Sequence, residues 1–127
     1  MNRLSTRRDQ NTFPRKADMT EPRWFRDEES FGVYDDDGDV IARNLYRDVQ
    51  GAEGTKQRIF PSIHVRPDHR HVGLAGRLTK YSMDTTIQEG YRVVPICPYV
   101  AQWMREYDDG AYLKYRDEPA GEHFVAD

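Results

Sequence analysis

The chain has a single cysteine and no long hydrophobic run, and each shortage excludes a class of protein. One cysteine, Cys97, cannot form a disulfide within the chain, which is typical of proteins kept in a reducing compartment such as the cytoplasm. No apolar stretch approaches the ~20 residues of a transmembrane helix, so no membrane partner is predicted. Hydrophobic residues make up only 37% of the 127. This predicts one modest domain, present as a monomer or a homodimer.

The first 26 residues are polar and basic. Seven arginines and lysines stand there against three acidic residues, a net charge of +4, so the remaining residues carry −7 because the total is −3. This composition predicts a flexible basic tail over 1–26, followed by a domain over 27–116 and a frayed C-terminus over 117–127. The alternative is an arm that contacts nucleic acid or acidic lipid, but the leader lacks a dense basic cluster with interleaved aromatic residues.

β-strand signals open the domain. Ser30–Tyr34 and Val40–Tyr46 flank the acidic turn Asp35–Asp39 and predict a hairpin. The turn lacks the later glutamate of an EF-hand loop, so it is interpreted as a solvated turn and not as a calcium site. Arg58–Val65 is predicted to be the third strand of an antiparallel meander.

The apolar spacing then becomes helical. The predicted helix runs from Gly73 to Gly90, with an apolar face formed by Leu74, Leu78, Tyr81, Thr85 and Ile87. A buried strand around Val94, a second helix over Tyr99–Tyr107 and a short edge strand over Ala111–Tyr115 follow. The predicted fold class is therefore α/β with a mixed sheet: an antiparallel meander, a strand–helix–strand crossover and a final helix.

The turn before the first helix has the chemistry of an anion site. Backbone N–H groups at a helix N-terminus have no partner within the helix, and the helix dipole places about half a positive charge there. Small residues let a bulky anion reach the main chain. We therefore predict a pyrophosphate site formed by Arg70, His71, Val72, Gly73, Leu74, Ala75 and Gly76.

Two motifs resemble a known family. Arg70-x-x-Gly73-x-Ala75, placed after a strand and opening a helix, resembles the acetyl-CoA signature of the GNAT superfamily of N-acetyltransferases. One helix later, Val93–Val100 (VVPICPYV) resembles the Val-x-Pro-x-Cys-Pro-[Phe/Tyr]-Val segment of a short, single-domain branch of that superfamily. The pair of motifs is more specific than either alone.

The resemblance implies a GNAT-like fold that binds acetyl-CoA. In that fold the strand before the signature and the strand after the helix splay apart, and the pantetheine arm lies in the gap. The resemblance implies that Val65 and Val94 line this gap, and that Arg105 on the later helix meets the nucleotide end of CoA. The second substrate is implied to be an amine.

The chain departs from the branch at several positions. The branch strand Thr-His-Thr-Glu-Val is Pro61–Val65 in this chain, so Ser62 and His64 replace the histidine and the glutamate. His71 replaces the first glycine of the signature, and Tyr107–Gly110 stands where the branch has His-Pro-Glu-Tyr.

Acetyl transfer to an amine requires a group that accepts the amine proton and a proton route to the leaving thiolate. His64 is a candidate for the first role, and its alternative is an exposed strand histidine. Cys97 is a candidate nucleophile or proton donor, and its alternative is inert packing. Tyr99 and Tyr107 are lesser candidates for a general acid.

A metal site is not predicted. His64, His69 and His71 have the spacing H-x4-H-x-H, but no fourth ligand is evident and the same residues belong to the phosphate turn.

The predicted function is direct transfer of an acetyl group from acetyl-CoA to an amine, small molecule or protein. One alternative is a CoA-binding regulatory module without turnover, suggested by the missing histidine and glutamate of the branch. The other is a small nucleic-acid-binding domain that uses the basic leader and the histidine- and arginine-containing turn, and the acidic body of the chain argues against it.

Overall fold

The computed structural model of the protein describes residues 23–119, apart from the side chains of Ala52, His71 and Val72. These residues form seven strands and two α-helices. In chain order the elements are β1 (Arg23–Arg26), β2 (Ser30–Tyr34), β3 (Val40–Leu45), β4 (Arg47–Gln50), β5 (Lys56–Phe60), β6 (Ile63–Val65), α1 (Leu74–Gln88), β7 (Arg92–Pro95) and α2 (Pro98–Glu106). The predicted mixed α/β class is confirmed. Neither α1 nor α2 is long and apolar enough to cross a membrane.

The strands form two sheets. One arm of a long hairpin is divided into β3 and β4 and the other into β5 and β6, so that β3 pairs with β6 in one sheet and β4 pairs with β5 in the other. One sheet has the order β1-β2-β3-β6 and the other β4-β5-β7. All pairs are antiparallel except β5 and β7, which are parallel, as expected for a strand that returns after a helix. The single strand predicted over Arg58–Val65 was wrong, because the chain leaves the β5 ladder at Pro61 and joins β3 from Ile63 onward. Proline has no N–H to give to a ladder, which accounts for the break.

The sheet begins earlier than predicted. Arg23–Arg26 pairs with Phe31–Tyr34, so four residues assigned to the tail belong to the domain. Trp24 of β1 stacks on Tyr81 of α1 with ring centroids 5.1 Å apart. The rest of the predicted tail, residues 1–22, lies outside the described residues, as do residues 120–127 of the predicted C-terminus.

The edge strand predicted over Ala111–Tyr115 was also wrong. After α2 the chain forms tight turns, with the left-handed residues Asp108 and Asp109 followed by a 3₁₀ turn over Leu113–Tyr115. Only Arg116 bridges to Val93 of β7. Asp117, assigned to the frayed end, donates its N–H to the carbonyl of Val93 at 2.7 Å.

Helix α1 covers one face of the sheet, with a buried side different in part from the predicted one. Leu74 and Leu78 are buried and Tyr81 packs against the core, as expected. The predicted Thr85 and Ile87 are not among the buried residues, whereas Met83 and hydroxyl residues are. Thr79 and Ser82 satisfy their hydroxyls by donating to helix carbonyls four residues earlier. These hydroxyl groups are satisfied by main-chain carbonyls and can be buried, so the periodicity of apolar residues alone could not reveal them.

A buried guanidinium joins the second sheet to the end of α1. Arg58 of β5 is 1% exposed and forms ion pairs with Asp48, at 2.6 Å, and with Glu89, at 2.9 Å. Its guanidinium lies over the rings of Tyr46 and Tyr91, 4.7 Å and 4.2 Å from their centroids. This network links β4 and β5 to the end of α1.

Candidate active site

The sheet opens between β6 and β7. The β5–β7 ladder continues to the pair Phe60 and Pro95, and the N–H of Cys97 then donates to the Phe60 carbonyl at 2.8 Å. Beyond this point the two chains separate. Val65 pairs with Ala42 and Val94 pairs with Ile59, so the two strands splay as expected. We call the gap the opening; Ser62–Val65 forms one side of it and Ile96–Tyr99 the other.

Main-chain groups of β6 face this opening. The Ser62 carbonyl accepts a hydrogen bond from the Leu45 N–H, and the Arg66 N–H donates one to the Ile41 carbonyl. The main-chain groups of Ser62 and Arg66 therefore point toward β3. In an antiparallel ladder alternate residues point the other way. Ile63 and Val65 therefore direct their N–H and C=O groups toward the opening, where the Val65 carbonyl accepts a bond from Nε of Arg70 at 3.1 Å.

The turn beside the opening leads into α1 as the sequence predicts. A 3₁₀ helix over Pro67–Val72 ends at Gly73, whose φ of 73° is left-handed, and α1 begins at Leu74. The first helical bond runs from the N–H of Arg77 to the carbonyl of Gly73. The N–H groups of Leu74, Ala75 and Gly76 have no partner inside the helix, as at any helix N-terminus. A Cβ added to Gly73 would meet no atom within 4 Å, so space lies in front of this main chain.

Tyr99 connects the helix N-terminus with the opening. Its side chain is 40% exposed, and its hydroxyl lies 3.5 Å from the position that a Cβ on Gly76 would occupy. Partial burial, with a smaller contribution from the neighbouring Cys97, raises the pKa of the Tyr99 phenol above its ordinary value. The phenol therefore keeps its proton at neutral pH and can donate it.

Cys97 is more enclosed than its neighbour. It precedes α2, is 5% exposed and packs within the hydrophobic core. Val94, predicted to line the gap, is likewise enclosed: it pairs with Ile59, one pair before the end of the β5–β7 ladder, and is 1% exposed. Arg105 is exposed on the last turn of α2, at the opposite end of the helix from the opening.

His64 lies on the face of the sheet opposite α1. Directly paired residues in a sheet point to the same side. Phe25, Gly32, Arg43 and His64 form one such row, and we call their side the outer face. His64 is exposed, and its Nε2 is 3.1 Å from the Ser62 hydroxyl. The interaction links the ring to Ser62, the first residue on that side of the opening.

An open surface depression lies at the end of the sheet near Arg43, the β3 residue that pairs with His64. It measures about 850 Å³ and lies under the turn between β1 and β2; we call it the outer cavity. Its lining residues are Arg26, Asp27, Glu28, Glu29, Arg43, Leu45 and Tyr46. A smaller cavity of about 280 Å³ lies along α2 and is lined by Tyr99, Gln102, Trp103, Glu106 and Tyr107.

Within residues 23–119 no three histidine, cysteine, aspartate or glutamate side chains are close enough to hold a metal ion. His69, one of the three histidines in the sequence motif, contacts Asp68 with Nδ1 3.0 Å from Oδ1. This contact holds the pKa of Asp68 below its ordinary value.

The sequence reasoning missed two features of this site. It did not identify Ser62 as the partner of His64, although residues two apart on a strand share a face. It also assigned no role to Asp27–Glu29, because a polar turn before a strand has no distinctive pattern until the sheet places it over Leu45.

Comparison with protein-family models identifies one family. The family model for GCN5-related N-acetyltransferases matches residues 30–118. A ribosomal-protein-alanine N-acetyltransferase from Brucella melitensis biovar Abortus 2308 is similar in structure, with a TM-score of 0.50 and 20% identity over 77% of this chain and 66% of that one. An acetyltransferase from Vibrio fischeri matches 56% of this chain and 63% of its own, with 13% identity and a TM-score of 0.43. The chain thus spans less than two thirds of either structure. A search of curated proteins gives no match.

Proposed function

Because this chain belongs to the GCN5-related N-acetyltransferase family, we propose that it transfers the acetyl group of acetyl-CoA directly to an amine, with the cosubstrate in the opening between β6 and β7. Acetyl transfer is the general activity of the family. The observation that supports this location is the loss of sheet pairing after Phe60 and Pro95, directly beside a helix N-terminus.

The diphosphate of the cosubstrate is proposed to bind the start of α1. The amides of Leu74, Ala75 and Gly76 point out of the helix, and the dipole favours an anion there. Gly73 leaves open space in front of them. Arg70 is the predicted phosphate contact, and its Nε also donates to the Val65 carbonyl, which holds the turn beside the phosphate site. The main chains of His71 and Val72 are proposed to belong to the same phosphate site, as the sequence predicts.

The pantetheine arm is proposed to run along β6. Its amides can pair with the outward main-chain groups of Ile63 and with the N–H of Val65, in the manner of an added strand. This path carries the thioester past Tyr99 toward His64, and the nucleotide end toward α2, where Arg105 is the predicted contact.

The chemistry then needs two proton transfers. The amine nitrogen attacks the acetyl carbonyl carbon, and the carbon–sulfur bond breaks as the tetrahedral intermediate collapses. His64 accepts the proton that the amine nitrogen loses, while Ser62 orients the ring. Tyr99 donates a proton to the thiolate that leaves, and bulk water restores the phenol. In this scheme Cys97 is enclosed and does not carry the acetyl group.

A charge-matched pair of variants tests the location of the cosubstrate. Asn and Asp have similar size and tolerate a left-handed backbone, so Gly73→Asn and Gly73→Asp share the same strain. Only Gly73→Asp adds a negative charge beside the diphosphate. Calorimetry is expected to show acetyl-CoA binding in the wild type and in Gly73→Asn, and at least tenfold weaker binding in Gly73→Asp. Equal affinities of the two variants would exclude this phosphate site.

Thiol release on an amine panel tests turnover. Free thiol is expected only when acetyl-CoA and an amine are both present. Tight binding without thiol release would identify a non-catalytic CoA-binding module instead, and no binding at millimolar acetyl-CoA would exclude both.

A further inference from the structure

We propose that Arg70 makes the two halves of the cosubstrate bind cooperatively, because they compete for the two ends of one hydrogen bond, from Arg70 to Val65. The pantetheine arm competes with Arg70 for the Val65 carbonyl, and the diphosphate competes with that carbonyl for the Arg70 guanidinium. This inference rests on the proposed function, because both ligands belong to the cosubstrate assigned to the opening. Each half of the cosubstrate therefore strengthens the binding of the other.

The Arg70 side chain lies at the edge of β6 along which the arm is proposed to run. Its Nε is 3.1 Å from the Val65 carbonyl oxygen, and this carbonyl points toward the opening. An added strand lies about 4.8 Å from its neighbour, with its N–H nitrogens about 2.9 Å from the carbonyl oxygens that they face. Nε therefore stands where an amide nitrogen of the arm would stand, so the arm must displace the guanidinium to bond there.

Displacement of Arg70 affects affinity because β6 offers few acceptors. The carbonyls of Ile63 and Val65 are the acceptors of β6 that face the opening, and Arg70 is bonded to the second of them. The pantetheine arm contains two amide N–H groups, and each loses water on entering the gap and then needs an acceptor. While the guanidinium keeps its bond, β6 has a carbonyl for only one of these amides.

The charge of Arg70 favours its transfer to an anion. Among residues 23–119 no carboxylate pairs with this guanidinium, whereas Arg66 of the same segment pairs with Asp68 at 3.4 Å. Arg70 also lies in the 3₁₀ turn directly before α1, near the positive end of the helix dipole, which disfavours a cation. A diphosphate is negative and accepts two parallel N–H bonds from one guanidinium, while the carbonyl is neutral. A diphosphate at the start of α1 therefore draws Arg70 away from Val65.

The experiment supplies the cosubstrate in two pieces, S-acetylpantetheine for the arm and inorganic pyrophosphate for the diphosphate. Titrations followed by NMR measure the affinity of the full chain for acetylpantetheine with and without saturating pyrophosphate. In the wild type, pyrophosphate is expected to tighten acetylpantetheine binding roughly fivefold, and acetylpantetheine to tighten pyrophosphate binding by the same factor. The Arg70 Nε–H resonance is expected to shift as pyrophosphate binds, because its hydrogen-bond partner changes.

Arg70→Ala removes both the donors and the side chain that stands in front of Val65. This variant is expected to bind acetylpantetheine alone roughly fivefold more tightly than the wild type does, and to gain less than about twofold from pyrophosphate. If Arg70 only holds the turn, its removal should instead weaken acetylpantetheine binding. The matched control is Arg66→Ala, since Arg66 pairs its side chain with Asp68 and not with β6. It is expected to keep the wild-type coupling.

Equal acetylpantetheine affinity with and without pyrophosphate in the wild type would overturn the inference. Weaker acetylpantetheine binding by Arg70→Ala would overturn it too, as would a loss of coupling in Arg66→Ala equal to that in Arg70→Ala. If acetyl-CoA does not bind the wild type at millimolar concentration, the proposed function itself fails. If acetyl-CoA binds and its two pieces bind independently, only the inference about Arg70 fails.

Discussion

The hydroxyl of Tyr99 lies over Gly76, 3.5 Å from where a Cβ on that glycine would stand. One residue belongs to the start of α2 and the other to the first turn of α1, so the Tyr99 hydroxyl lies near the main chain where the diphosphate is proposed to bind.

Tyr99→Phe tests the proton donor. The variant keeps the ring and loses the hydroxyl, so kcat is expected to fall roughly a hundredfold while acetyl-CoA affinity changes little. Tyr107→Phe, another exposed tyrosine of the same region, is the control and should retain wild-type kcat. Since burial raises the Tyr99 pKa above 10.0, the wild-type rate should decline only at pH values above that, and Tyr99→Phe should lack this alkaline decline. A wild-type pH profile in the variant would contradict the assignment.

Gly76→Ala separates stability from binding. The new Cβ makes an ordinary contact with the Tyr99 hydroxyl, and alanine loses less conformational entropy than glycine in a helix. The variant is expected to be about 0.5–1 kcal/mol more stable by chemical denaturation. Acetyl-CoA affinity is expected to fall by roughly tenfold in calorimetry, because the methyl group limits the approach of the diphosphate to the main chain. Unchanged affinity would place the diphosphate elsewhere.

Cys97→Ser distinguishes direct transfer from an acyl-enzyme. A serine of similar size fits the enclosed position, which is 5% exposed. In direct transfer kcat is expected to stay within about threefold of wild type, and mass spectrometry of the wild type with acetyl-CoA alone should show no covalent adduct. A loss of several hundredfold, together with an acetylated wild-type chain, would restore Cys97 as the nucleophile.

The sequence predicted most of this architecture but not the place where the sheet breaks. The hairpin residues, the helix limits near Gly73 and Gly90 and the parallel return of β7 all follow from local rules of turn chemistry and periodicity. The break at Pro61 depends on which strands pair with β5 and with β6. The outer cavity depends on the β1–β2 turn lying near residues of β3 that follow later in the sequence. Long-range pairings of this kind leave no local period in the sequence.

Glu89→Gln tests the network that holds the second sheet. Bonds from Arg26 first, and then from Arg58, lower the pKa of Glu89 below its ordinary value of 4.5. A lowered carboxyl pKa means that the unfolded chain binds more protons, so the stabilisation is complete above pH 4.5 and is lost as the pH falls through the folded-state value. The variant should be less stable at pH 7, by about 1 kcal/mol. Its denaturation midpoint should also depend less on pH below 4.5 than that of the wild type.

Glu53→Gln, on an exposed turn, is the control and should leave the pH dependence of the denaturation midpoint unchanged. Parallel curves for Glu89→Gln and the wild type would show that the ion pairs contribute no pH-linked stability.

His64→Gln tests the group that accepts the amine proton. Glutamine keeps a polar side chain on the outer face but cannot take up a proton, so kcat/KM is expected to fall at least tenfold at neutral pH. The deficit should shrink at alkaline pH, where more of the amine is already deprotonated. Ser62→Ala removes only the hydroxyl that lies 3.1 Å from Nε2, and its smaller loss should show the same alkaline recovery if Ser62 orients the ring. His69→Gln is the matched control, since His69 contacts Asp68 on the turn and not the opening. If the wild type and His64→Gln differ by the same factor at every pH, His64 positions the acceptor and water takes the proton.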